Sequence, residues 1–157
     1  MEQNEFFRSL LSGLAEALRL PEITASDDGT SSLLVIDDFE VLLTCMETEQ
    51  ILIFTVVAPL PAGSRQEIFK ALLDANTFFY QTQGFTLAAR EDTGVSLQGV
   101  MPLSVFTPDS FAAYVRNFLD VAEHWQQFCV ADDGVQQSAP SSAPLPSDFL
   151  NMMNLRV

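Results

Sequence analysis

Hydrophobic positions along this chain follow two rhythms, and the order of the rhythms predicts the fold. Phe7, Leu10, Leu11, Leu14 and Leu18 recur at helical spacing while Arg8, Ser12, Glu16 and Arg19 face away, so a first helix is expected over Glu5 to Leu20. Pro21 disfavours the helical conformation at Leu20 and sets the expected stop. A loop follows, marked by Asp27-Asp28-Gly29. The period then drops to two. Leu33 to Ile36, Phe39 to Met46 and Gln50 to Val57 predict three closely spaced strands. In the second, Phe39, Val41, Leu43 and Cys45 alternate onto one face; the third is apolar on both faces, as a central strand covered on two sides is.

The stretch from Ser64 to Gly84 reads as one amphipathic helix. Ser64 is its expected N-cap, Glu67 completes a capping box, and Gly84 is the expected terminator. Ile68, Leu72, Ala75 and Phe79 form one buried row, and Phe69, Leu73, Asn76 and Tyr80 widen it. A face this broad implies contact with the sheet and with one thing more, a second copy or a ligand. Phe85 to Arg90 and Val95 to Leu103 predict two further strands around a Glu91-Asp92-Thr93-Gly94 hairpin turn. Pro102 cannot donate to a ladder, so that end of the fifth strand is expected at an edge. Thr107-Pro108 opens a last helix running to about Cys129 on a stripe of Phe111, Tyr114, Val115, Phe118, Ala122, Trp125 and Cys129.

The resulting order, α-β-β-β-α-β-β-α, is that of an α+β fold in which helices pack on an antiparallel sheet. Residues 1–131 are expected to form one domain. Residues 132–157 read as a Pro/Ser-rich linker carrying a short apolar motif, Phe149 to Val157, which suggests docking onto its own domain or onto a partner.

Charge and composition narrow the function. The 157 residues carry 21 acidic and 7 basic side chains, a net −14 that repels nucleic-acid backbones and anionic lipid. With 48% hydrophobic residues and 13 Phe, the chain is nonetheless built to fold. No apolar run approaches the roughly 20 residues of a membrane span, and Met1 to Phe7 lacks the pattern of a secretory signal, so the cytosol is the expected location. Catalytic chemistry is sparse. The single histidine, His124, has no nucleophile motif to serve, and neither a phosphate-cradling nor a dinucleotide-binding glycine pattern occurs. Asp37-Asp38 and Glu47 with Glu49 sit at expected turns without metal-ligand spacing, and Cys45 and Cys129 are expected as buried thiols. The expectation is a binding protein without catalytic, metal or cofactor chemistry, whose ligand is apolar and peptide-like.

Phe69-Lys70-Ala71-Leu72-Leu73-Asp74-Ala75-Asn76, then Gly84 and Phe85-Thr86-Leu87-Ala88, resembles the LLxAN…G…L signature of the CesT/Tir class I chaperones of bacterial type III secretion. Val95-Ser96-Leu97-Gln98, Met101-Pro102-Leu103 and Glu123-His124-Trp125 extend the likeness, which covers about residues 3 to 130. The resemblance implies a homodimer with a curved sheet and three helices, needing no cofactor. It implies binding of the N-terminal segment of a secreted effector, kept non-globular for export. On that basis an effector groove is expected between the first helix (Phe7, Leu11, Leu14, Leu18) and the first strands (Leu34, Ile36, Val41, Leu43). Dimer contacts are expected through Phe69, Leu73, Asn76, Tyr80 and Leu97. The same fold could instead sequester a secretion or transcription regulator; a partner that stays inside the cell would distinguish it.

Overall fold

A computed structural model gives the architecture and describes residues 2–63 and 65–132. Helix α1 (Glu2–Leu18) leads to strands β1 (Ser31–Ile36), β2 (Phe39–Met46) and β3 (Gln50–Ala58). Helix α2 (Arg65–Asn76), strands β4 (Thr86–Arg90) and β5 (Gly94–Pro102), and helix α3 (Pro108–Asp132) complete the order expected from the pattern. All strand pairs are antiparallel, in the spatial order β1-β2-β3-β5-β4.

Because side chains alternate, the register divides the sheet into two faces. Leu34 lies opposite Val41, Leu43 opposite Ile53, and Thr55 opposite Leu97, so these share an inner face. Leu33 lies opposite Leu42, Leu42 opposite Phe54, and Leu52 opposite Val100, which makes the outer face. Phe7, Leu10, Leu11 and Leu14 of α1, with Phe111, Val115, Phe118 and Trp125 of α3, pack in one cluster with the inner row. Full burial of each such side chain contributes about 1.5–3 kcal/mol. Helices α1 and α3 meet closely at Gly13, where a Cβ would stand 2.5 Å from Cβ of Pro108. Gly99 likewise leaves room on β5 for Tyr114 and the Phe85 ring.

Several boundaries differ from the sequence expectation. Helix α1 ends at Leu18, ahead of Pro21: Arg19 turns left-handed and the Leu20 N–H donates to the Ala15 carbonyl at 2.9 Å, which closes the last turn. The larger correction concerns the central helix. It stops at Asn76 and gives way to a short 3₁₀ turn over Thr77–Phe79, with Phe78 at φ 60° and Phe79 at φ 57°. Phe79 therefore leaves the row of Ile68, Leu72 and Ala75, which alone stay buried. Gly84, at φ 93°, serves the turn into β4. The expected N-cap at Ser64 lies outside the described residues. Strand β5 runs between β3 and β4, but β4 reaches only as far as Gln98, so the Pro102 end lacks a neighbour on that side and is an edge as expected. The last helix is capped as expected, with the Ser110 N–H on Thr107 Oγ1 at 3.3 Å and the Thr107 N–H on Ser110 Oγ at 2.8 Å. It continues to Asp132, so the expected boundary at residue 131 falls within its last turn. The rest of the linker and the apolar motif lie outside the described residues.

Candidate functional site

The groove expected between the first helix and the first strands is filled by the molecule itself. Phe7, Leu11 and Leu14 pack against Leu34, Ile36, Val41 and Leu43, and all seven are buried in the core; Leu18 alone is half-buried at its margin. A side chain sealed in the core offers nothing to a ligand, so a binding surface must be sought elsewhere. The physical reason is the register: the row that reads most clearly as apolar in β2 is the inner row, and α1 uses it.

The two edges of the sheet differ. At β4, α2 lies alongside the strand and closes it. The Asn76 side chain accepts from the Leu87 N–H and donates to the Leu87 carbonyl, both at 2.9 Å, taking the place a neighbouring strand would have. At the other end of α2, Arg65 Nη1 meets Glu91 Oε1 at 3.0 Å and Arg65 Nε donates to the Pro61 carbonyl at 2.8 Å. Helix rise and strand rise agree with this alignment: eleven steps of α2 and four of β4 each cover about 14–17 Å.

At β1, a loop closes the first residue only. The Ser31 N–H donates to Ser26 Oγ at 3.0 Å, and the Ser31 carbonyl accepts from the Ser26 N–H at 2.7 Å. The loop is held by Asp28, whose carboxylate accepts from Ser26 Oγ and from the Thr30 N–H. Those bonds, Ser26 first, hold the Asp28 carboxyl below its ordinary pKa. Outward-pointing backbone groups alternate along an antiparallel strand, so those of Leu33 and Val35 follow Ser31 onto the open edge. Their side chains are 54% and 69% exposed. A shallow cleft beside them, floored by Leu34, is bounded by Leu20, Pro21 and Ile23. Open backbone and exposed apolar side chains coincide there.

A second exposed patch stands at the end of α2. Leu73 is exposed, and Phe78 and Tyr80 are 79% and 84% exposed with ring centroids 6.2 Å apart. Of the residues expected at a dimer contact, Leu73 and Tyr80 are available. Phe69 is half-buried against the core, Leu97 is wholly buried on the inner face, and Asn76 is engaged with Leu87. Leu33, Val35 and Phe78 escaped the sequence reading. The signal was present: Ser31 to Ile36 is apolar in both alternating rows from Leu33 on, and three consecutive aromatics, Phe78-Phe79-Tyr80, cannot share one helix face.

No cluster of three or more His, Cys, Asp or Glu that could hold a metal ion occurs among the described residues. His124 is exposed and stacks edge-on to Trp125 at 5.7 Å. Burial raises the pKa of the Cys45 thiol, against a weaker opposing contact from Gln3. Among the described residues, no helix is long and apolar enough to cross a membrane.

The fold has counterparts among solved structures. A chain of the HopA1–SchA chaperone–effector complex superposes with a TM-score of 0.63 at 18% identity, covering 81% of this chain and 98% of that one. A chain of the ExsC–ExsE complex gives 0.65 at 26% identity over 78% and 92%. The Yersinia pestis type III secretion chaperone SycH, in complex with a fragment of YscM2, gives 0.61 at 21% identity over 76% and 98%. A sequence search of curated proteins finds no match. The profile of one family matches residues 9–126, from within α1 to within α3. By that match and that fold, the chain belongs to the Tir chaperone protein (CesT) family.

Proposed function

We propose that this protein is a cytosolic chaperone of type III secretion, a homodimer that holds the N-terminal segment of an exported effector in an extended, non-globular form. The observation that carries this reading is the open β1 edge, where free backbone groups meet the exposed side chains of Leu33 and Val35. An extended segment can add there as a further strand, gaining affinity from main-chain hydrogen bonds and selectivity from side-chain contacts. The chaperone–effector nature of the HopA1–SchA complex supports the same reading. Binding of this kind needs no catalytic group, cofactor or nucleotide. The second copy is assigned to the α2 end, through Leu73, Phe78 and Tyr80, which is adjacent to the sealed edge and leaves β1 open.

Co-purification tests this. Tagged protein drawn from its source cytosol is digested lightly, and the protected peptides are identified by mass spectrometry. The expected result is N-terminal segments of one or a few exported proteins, with two copies of this chain per segment. A retained, folded regulator as the sole partner would replace effector delivery by sequestration. A monomer with no partner would overturn the proposal.

A further inference from the structure

The outer face of the sheet poses a problem that the open edge does not. Leu42 lies at its centre, only 2% exposed, and Leu52 near it is buried. Yet these two stand outside the cluster that all three helices share with the inner row. Thr44 Oγ1 lies on the same face, buried and without a hydrogen-bond partner. Around this centre the face opens at Leu33 and Val100, which are exposed.

We propose that the chain's own C-terminal motif, residues 149–157, docks on this outer face. Composition supports the match: Phe149, Leu150, Met152, Met153, Leu155 and Val157 are apolar, and the two flexible thioethers adapt to an irregular surface. Charge supports it as well. In a chain of net −14, this stretch has no acidic side chain and one basic one, Arg156, so the field of the domain attracts it. Asn151 and Asn154 bring donors that Thr44 Oγ1 can use. Reach is ample. Residues 133–148 separate α3 from the motif, and sixteen residues extend to about 50 Å, more than the breadth of a domain this size. A tether of that length holds the motif at an effective concentration on the order of millimolar, so even weak intrinsic affinity keeps the face occupied. The docked motif borders the β1 edge at Leu33, where it would compete with an arriving effector segment. That competition rests on the function proposed above; the docking itself does not.

The test uses the full chain and no effector. A photoreactive benzoylphenylalanine replaces Leu150, the protein is irradiated at low concentration, and the cross-links are mapped by mass spectrometry. Intrachain links to residues 33–35, 42–44, 52–54 or 98–100 are expected. Links to the helices, links to a second copy, or no link would overturn the proposal. A second readout is the fluorescence of anilinonaphthalene sulfonate with the full-length variant Phe149→Asp/Leu150→Asp/Met153→Asp. A several-fold gain over the parent is expected, and adding Leu33→Glu and Val100→Glu should remove it while far-UV circular dichroism is unchanged. An unchanged signal in the first variant would count against docking. Docking found without any co-purifying effector would leave this inference standing and remove only the effector reading.

Discussion

The two edge strands of this sheet, β1 and β4, meet different fates. On β4, one amide side chain, Asn76, satisfies both backbone groups of Leu87, and α2 lies along the rest. On β1, the Ser26–Asp28 loop satisfies Ser31, and the strand then runs on with its outer side free at Leu33 and Val35. An exposed apolar edge is a hazard that folds usually suppress with charge, proline or a covering element. Here a helix lies along one edge and clamps Leu87, whereas on the other the bonded loop stops after one residue. The difference teaches that the open edge is not a shortage of covering devices: this chain has one and uses it elsewhere.

Substitutions can break that contrast. The largest effect is expected from Leu34→Pro, which removes an N–H directed at β2 from a buried residue; a loss of about 3 kcal/mol or more, measured by urea unfolding, should leave little folded protein. Next comes Asn76→Ala. It strips both partners from a half-buried backbone site and should cost about 2–3 kcal/mol, with new protease sensitivity near β4. The same proline one residue along, Val35→Pro, removes only an outward N–H. It should leave the urea midpoint almost unchanged yet weaken binding of the co-purified effector segment tenfold or more, read by titration calorimetry. Equal affinity would mean that the segment does not pair with β1. Tyr80→Asp places a charge in the exposed patch beside the sealed edge and should weaken the dimer tenfold or more by light scattering, with the effector site intact.

The smallest expected effect lies behind the sealed edge. Tyr114 packs between Phe85 and Phe106, with ring centroids 5.2 and 5.0 Å away, and burial pushes its phenol from 10 up to about 12. The unfolded chain then releases this proton from about pH 10 while the folded chain keeps it. Stability should fall as pH rises between 10 and 12, and Tyr114→Phe should flatten that decline in urea midpoints. An identical alkaline slope in both proteins would remove Tyr114 as its source.

Element order was legible in the sequence because burial on one face imposes a period, and α1, β2, β3 and α3 each have one clear face. The end of the central helix was not legible. Asn76 continues the apolar spacing, but its amide leaves the helix surface to serve Leu87, eleven residues on, a tertiary event that no local pattern encodes. The proposed site differs from the expected groove for a related reason. Periodicity identifies which residues want to be buried, and the most regular rows, such as Val41 and Leu43, are those α1 already satisfies. The residues left for a partner are the apolar ones that no element covers, and Leu33 and Val35 become recognisable only when the sheet order shows β1 at an edge.

The amide clamp at Leu87 has a consequence for self-assembly. Growth of a strand-paired filament requires every unit to offer two free edges, one to join and one to extend. With Leu87 clamped by Asn76, a copy that captured another through β1 would not offer Leu87 as a pairing site for a third. Edge-to-edge growth through β4 is therefore opposed at Leu87, and an open β1 strand does not by itself make the chain a seed for fibres.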